Sequence, residues 1–313
     1  MKYLVIAAAL LAASLTSARA ETTLIVGDQK GNARAVMEAA GVLKDVPYKI
    51  EWKEFAAAAP LLEALGAGAI EAGLVGDAPF TFAAAANVPV KAIGAIRQTG
   101  DGLAVLVPKE SAVKNFDELK GKKIATGRGS IGHQLLLAAL ESKGWTPADV
   151  QIVFLAPADA KVAYSRGSVD AWSTWEPYVS QEEVLFQSRV VLNAEGLTSG
   201  LSFIVATPNA IRDKHAALED YVRRLTQARA WALSNGESYA QTWGKLMNVA
   251  PAVPLNWLQR AKVRIAPIDD SVVADEQKTI DLYLRAGLIK QKLDAATLVD
   301  KSFTDAIGKG AGL

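Results

Sequence analysis

Short runs of β-branched and apolar residues alternate along this chain with longer stretches whose apolar positions recur every three or four residues. The short runs predict strands at Thr22–Val26, Tyr48–Phe55, Ala72–Val75 and Val90–Ile96, with helices at Asn32–Leu43, Pro60–Ala67 and Ala78–Ala86 between them. A strand at Leu103–Val107 leads into a second block, with strands at Lys123–Thr126, Gln151–Phe154, Val169–Ser173 and Val190–Leu192. Helices at Ile131–Lys143, Ala158–Ser165 and Glu176–Glu183 separate them. This alternation favours parallel βαβ units and an α/β fold. Leu201–Ala206 mirrors Leu103–Val107, and the two strands are expected to form a paired crossover between two lobes. One lobe is then 21–105 plus 207–313 and the other 106–206. Past the second crossover strand the pattern is mainly helical, with segments at Ala216–Ser234, Glu237–Met247, Pro254–Ala261 and Ser271–Arg285.

The N-terminus changes the setting. Lys2, the apolar run Tyr3–Leu15 and Ser17-Ala18-Arg19-Ala20 have the three regions of a secretory signal peptide. The run falls short of the ~20 apolar residues that span a bilayer. Residues 1–20 are therefore expected to be removed, leaving an exported, periplasmic chain. There is no cysteine, which excludes disulfides, thiol catalysis, cysteine–metal sites and a lipid anchor on cysteine. Without Lys2 and Arg19, the 34 basic residues fall to 32, against 33 acidic ones. That balance lacks the basic footprint of a nucleic-acid binder.

Three strand–helix junctions share one design. Gly27-Asp28-Gln29-Lys30-Gly31-Asn32 follows the first strand, Gly76-Asp77-Ala78-Pro79 the third, and Gly127-Arg128-Gly129-Ser130 the strand at Lys123–Thr126. Asp77 and Ser130 are expected helix N-caps. First-turn amides have no partner within a helix and carry the positive end of its dipole, so such junctions can hold an anion. Ligands of open parallel sheets sit at the carboxyl ends of the strands. Two lobes facing each other would bring the first two junctions opposite the third, with His133 in the first turn of its helix. Arg128 either steers or clamps the ligand, or points into water. In Val169–Tyr178, Trp172 and Trp175 either wall an organic ligand or belong to the core.

Catalytic patterns are weaker. His133 and His215 are far apart in sequence, and no carboxylate spacing suggests a metal site. Gly127–Gly132 fits G-x-G-x-x-G, but the acidic residue that should end the next strand is missing, so no dinucleotide cofactor is expected. Ser130 lacks the nucleophile-elbow pattern. A periplasmic enzyme using His133 as base, with Asp77 or Glu176 as its partner, stays as the alternative.

An ordered set of segments resembles the aliphatic sulfonate-binding proteins of bacterial ABC importers, within the nitrate/sulfonate/taurine-binding family. The set comprises Gln29-Lys30-Gly31, Trp52–Phe55, Leu61–Leu65, Gly76–Pro79, Glu118–Lys123, Gly129-Ser130 with His133, Pro157–Ala160, and Val169–Trp172 with Trp175 and Pro177-Tyr178. The resemblance runs from about Leu24 to Ala206. It implies a two-lobed periplasmic binding protein of type II that delivers its ligand to a permease; a two-strand hinge, a monomer and a small organic anion left unaltered are expected with it. It implies that the Gln29 region, Gly76, Asp77, Ser130 and His133 meet a sulfonate, with Trp172 and Trp175 near its organic part; Lys30, Arg128 and Gly129 are expected beside them. Phe55, Asp159, Trp172, Trp175 and Glu176 complete the expected site. An aliphatic alkanesulfonate is the expected ligand; taurine, nitrate and a sulfate ester are the alternatives. The turn departs from the family's usual Lys-Gly-Ser-Ser/Ala: it is Arg128-Gly129-Ser130-Ile131, so Ile131 supplies no second hydroxyl.

Overall fold

The structure, a computed structural model, describes residues 22–98 and 102–312. The expected signal segment lies outside them. The first sheet contains β1 (Thr23–Gln29), β2 (Lys49–Phe55), β3 (Ala72–Gly76), β4 (Lys91–Arg97), β10 (Leu201–Ala206) and β11 (Arg264–Ala266) in the order β11-β4-β10-β3-β1-β2. Strands β1, β2 and β3 are parallel, whereas β10 runs antiparallel to both β3 and β4. The second sheet contains β5 (Leu103–Val107), β6 (Lys123–Thr126), β7 (Gln151–Phe154), β8 (Ala171–Trp175) and β9 (Arg189–Asn193) in the order β7-β6-β8-β5-β9. Here β6 is parallel to β7 and β8, and β5 is antiparallel to β8 and β9.

The expected crossover strands do not pair with each other. Each runs antiparallel to both of its neighbours inside one sheet, so β5 belongs wholly to the second sheet and β10 wholly to the first. The chain crosses just outside them. There the Gln98 N–H donates to the Gly200 carbonyl (3.1 Å). Gly200 has a φ of +61°, and a Cβ on it would stand 2.3 Å from the Gln98 carbonyl oxygen. Only glycine allows that approach.

Apolar stripes decide which helices cover which face. Helices α1 (Asn32–Ala39), α8 (His215–Ala232), α9 (Gly236–Met247) and α12 (Thr304–Ala311) cover one side of the first sheet around Val36, Tyr221 and Trp243. Helices α2 (Ala58–Gly66) and α3 (Asp77–Ala85) close the other side around Leu61, Phe80 and Phe203. In the second lobe, α4 (Ile131–Ser142) packs on one face, and α5 (Pro157–Ser165) and α6 (Tyr178–Phe186) on the other. Two C-terminal helices join the halves. Helix α11 (Asp270–Arg285) packs against α3 and α4 through Ala78, Leu137, Ile280 and Tyr283. Helix α10 (Ala252–Arg260) packs against α6. The remaining helix, α7 (Pro208–Asp213), links β10 to α8.

Candidate functional site

A cavity of about 390 Å³ opens between the two sheets at the carboxyl ends of β1, β3, β6 and β8. That volume suits a small organic ligand. Two of the three predicted junctions supply its polar rim, and the third supplies Gly76.

At the first junction Lys30 and Gly31 both take left-handed backbone conformations (φ 56° and 68°). This turns the chain sharply out of β1 into α1. The turn is fixed from outside: Trp243 Nε1 donates to the Lys30 carbonyl at 2.6 Å. Both Asp28 oxygens accept from the first turn of α1, at Ala33 N and Arg34 N (3.0 and 2.9 Å). Asp28 is fully buried, and burial raises its pKa against the pull of those amides and of Arg229. Gln29 Nε2 donates to the Leu74 carbonyl at 2.7 Å, fixing that side chain on the cavity wall. Lys30 Nζ lies 5.9 Å from the Tyr178 ring centre, across the cleft.

At the junction between β6 and α4, Ser130 is the N-cap, and its Oγ accepts from His133 N at 3.1 Å. The hydroxyl keeps its own proton to donate. Gly129 stands at φ +69°, and its N–H donates to His133 Nδ1 at 3.2 Å. With Nδ1 accepting, the neutral ring carries its proton on Nε2. His133 is 1 % exposed and does not line the cavity; its ring packs edge-on to Phe154 behind the turn. Burial, reinforced by the nearby Arg128 cation, lowers its pKa to about 4. His133, expected beside the sulfonate, thus stands behind the turn, where its neutral ring braces Gly129. Arg128 lines the cavity and is solvent-exposed, with its guanidinium 3.9 Å from the Phe154 ring centre.

Four more expected residues lie away from the cavity wall. Asp77 is the first residue of α3 and not its cap; its Oδ2 accepts from Gln134 Nε2 (2.9 Å) and Thr279 Oγ1 (2.8 Å). It is a buried link between the lobes. Phe55, at the end of the edge strand β2, packs into the core beside Leu61. Asp159 sits exposed in the first turn of α5, where a carboxylate complements the helix dipole, while Ala156 and Pro157 meet the cavity. Trp172 is 1 % exposed between Tyr164 and Tyr178, with ring centres 6.0 and 5.6 Å away. Trp172 and Trp175 both pack on the Tyr178 ring, with ring centres 5.6 and 5.8 Å away, but Trp172 lies deeper in the core. Trp175 is the one on the cavity.

Strand β8 begins two residues later than expected because the Asp170 carboxylate accepts from Lys123 N and Ala171 pairs with Ile124. Helix α6 likewise starts at Tyr178, with Glu176 capping it through Ser180 N (3.0 Å) and Ser180 Oγ (2.9 Å). Glu176 lines the cavity; its buried carboxyl is pushed up to about 7 by desolvation, against Ser180 and Arg260. Pattern reading missed Arg229 and Trp257, which also line the cavity. Arg229 falls in the buried stripe of α8, and a charge in that position is a detectable signal. Three cations (Lys30, Arg128 and Arg229) and two carboxylates (Asp28 and Glu176) line the space, and both carboxylates are engaged in caps. The remaining field favours an anion.

The family model described as NMT1/THI5 like matches residues 48–238. A chain of Escherichia coli (strain K12) named as an aliphatic sulfonates-binding protein is 33 % identical over 294 residues, covering 92 % of each chain. Its Bacillus subtilis (strain 168) namesake is 28 % identical, covering 90 % of this chain and 83 % of its own. Among solved structures, the alkanesulfonate-binding protein SsuA from Xanthomonas axonopodis pv. citri bound to MOPS is similar at a TM-score of 0.83. The two are 30 % identical, over 90 % of this chain and 99 % of that one.

Proposed function

The chain belongs to the NMT1/THI5 like family, and we propose that it is an exported solute-binding protein that captures an organic sulfonate between its lobes. It would hand that ligand, unaltered, to an ABC permease. The observation that carries this reading is the cavity itself: a helix N-terminus capped by Ser130 faces the ends of β1 and β3, with cations in excess of unengaged carboxylates. A sulfonate keeps its charge at physiological pH, so neutral amides and the Ser130 hydroxyl hold it without proton transfer. The rest of the wall, including Leu74, Phe154, Leu155 and Trp175, suits a carbon chain. Two relatives at 30 % identity or more carry sulfonate-binding names, which supports the same ligand class.

Closure follows from differential contact. A ligand touching both lobes favours the arrangement in which they meet, and a permease can read that arrangement. The alternative enzymatic role has no support from His133, whose ring is neutral, packed behind the turn and bonded to Gly129 N.

Thermal unfolding with octanesulfonate, taurine, nitrate and sulfate tests the reading. At a ligand concentration about 100 times Kd, the stabilisation is about 2.7 kcal/mol. The sulfonates should raise the midpoint by several degrees, and mass analysis should recover them intact. A sulfonate series without any shift, or one returned chemically changed, defeats the proposal.

A further inference from the structure

Helix α8 buries a cation where its packing stripe calls for an apolar side chain. Leu218, Tyr221, Val222, Leu225 and Ala228 form the buried stripe, and Arg229 continues it at 2 % exposure. Its Nη1 donates to Tyr239 Oη at 3.1 Å, and its Nη2 donates to Asn32 Oδ1. Both acceptors are neutral. Asp28 attracts the guanidinium through space, but both of its oxygens are bonded to α1 amides. Among the described residues, Arg229 Nε has no hydrogen-bond partner.

A second donor has the same defect. Trp257 on α10 is 3 % exposed, and its Nε1 also lacks a partner among the described residues. Both residues line the interlobe cavity, as does Val263. Guanidinium and indole N–H groups only donate, so neither can satisfy the other. A buried donor without an acceptor is unfavourable, and a charged one more so. An oxyanion that reached both donors from the cavity would satisfy them, and an arginine fork matches a carboxylate especially well.

We infer that the cavity has a second polar end at Arg229 and Trp257, selecting sulfonates that carry a carboxylate at the far end of their carbon chain. The inference rests on the sulfonate reading above and narrows it. The two ends lie on different halves: the Ser130 turn belongs to the second sheet, while α8 packs on the first. A ligand with an acceptor at each terminus therefore bridges the lobes. At about 390 Å³ the cavity is of the size that takes a small organic ligand.

Titration calorimetry on the mature chain would compare ω-sulfocarboxylates, from sulfopropanoate to sulfohexanoate, with n-alkanesulfonates of equal length. At least one sulfocarboxylate should bind about tenfold tighter than its partner. Trp257→Phe, which removes the N–H and keeps the ring, should weaken that compound about fivefold and the alkanesulfonate less than twofold, as expected for one neutral hydrogen bond. Arg229→Lys should do the same more strongly; should it fail to fold, Trp257→Phe alone decides. Equal affinity for both series overturns the second polar end and leaves the sulfonate reading standing. Equal losses in both series on Trp257→Phe overturn it too, because the sulfonate itself would then occupy that end. Absence of binding by either series overturns both readings.

Discussion

Arg260 Nη2 lies 2.8 Å from Glu176 Oε1, so the last turn of α10 is tied to the residue that follows β8. The same guanidinium reaches Glu183 through Nη1 at 2.7 Å, and Asn256 on α10 donates to both Ser180 and Glu183. Glu176 is simultaneously the cap of α6 and part of the cavity wall. The C-terminal helices thus hold the second lobe at the point where the ligand cavity meets it. On the opposite flank, Tyr283 Oη donates to the Ser130 carbonyl at 3.2 Å, and Thr279 donates to Asp77. Closure is braced from two sides of the same space.

Arg260→Met should expose the value of that tie. Removing one member of a buried pair leaves an uncompensated charge, which costs ~3–5 kcal/mol when burial is complete. The Arg260 side chain is 27 % exposed, so on the order of 2 kcal/mol is expected here. Glu176→Gln removes the charge and keeps one acceptor oxygen, enough for Ser180 N but not for Arg260 as well. A double-mutant cycle read by urea unfolding should give a coupling above ~0.5 kcal/mol. Strict additivity would mean that the two groups touch without contributing to stability.

Gly76→Ala should prop the lobes apart. Gly76 has ordinary extended backbone angles (φ −67°, ψ 160°), so alanine adds no local strain. Its Cβ, however, would stand 2.3 Å from Cγ2 of Ile131 on the opposite lobe. Small-angle scattering in the presence of ligand should show a larger radius of gyration, with affinity reduced about tenfold or more. The overpacking itself costs ~1–3 kcal/mol when it cannot relax. Combining it with Ile131→Ala should restore both readings, because that change removes the colliding methyl. Wild-type affinity in Gly76→Ala alone would show that the ligand does not need this approach.

The two tryptophans of β8 should behave differently. Trp175→Ala removes a cavity wall and should weaken octanesulfonate more than methanesulfonate. Trp172→Ala empties the core between Tyr164 and Tyr178, where a large-to-small change costs ~3–5 kcal/mol. Any affinity change there should be independent of chain length. Identical chain-length profiles for both variants would remove Trp175 from the tail wall.

Strands and helix starts were readable because each carries a local signal: a β-branched run, a glycine turn, a cap such as Ser130. What depends on side-chain pairing was less so. The register of β8 is set by Asp170 bonding to Lys123, a contact between residues 47 apart in sequence. Trp172 and Trp175 share the Tyr178 ring as a neighbour, so which of them reaches the cavity was decided by depth of burial, not by a local pattern. Helix α12 carries Gly308 and Gly310, poor helix formers. It is held by packing on α8, where a Cβ on Gly310 would stand 2.4 Å from the Arg223 carbonyl oxygen. Arg229 and Trp257 reach the cavity from the helical C-terminal third, beyond every strand–helix junction on which the candidate site was built.

His133 makes stability depend on pH with a fixed sign. Its folded pKa is about 4 because burial, and secondarily Arg128, disfavours the charged ring; in the unfolded chain it returns to ~6.5. Above that value both states are neutral and the full stability is present. As pH falls from about 6.5 towards about 4, the unfolded chain takes up a proton that the folded one refuses, and stability is lost. The loss approaches on the order of 3 kcal/mol at the lower limit. His133→Gln offers Gly129 N an acceptor that does not titrate, and comparing the two proteins cancels the contribution of every other group, Glu176 included. Urea unfolding at steps between about pH 7 and about pH 4 should therefore show the wild-type advantage shrinking steadily on acidification. A constant gap across that range would mean that the ring titrates alike in both states and is not held neutral behind the turn.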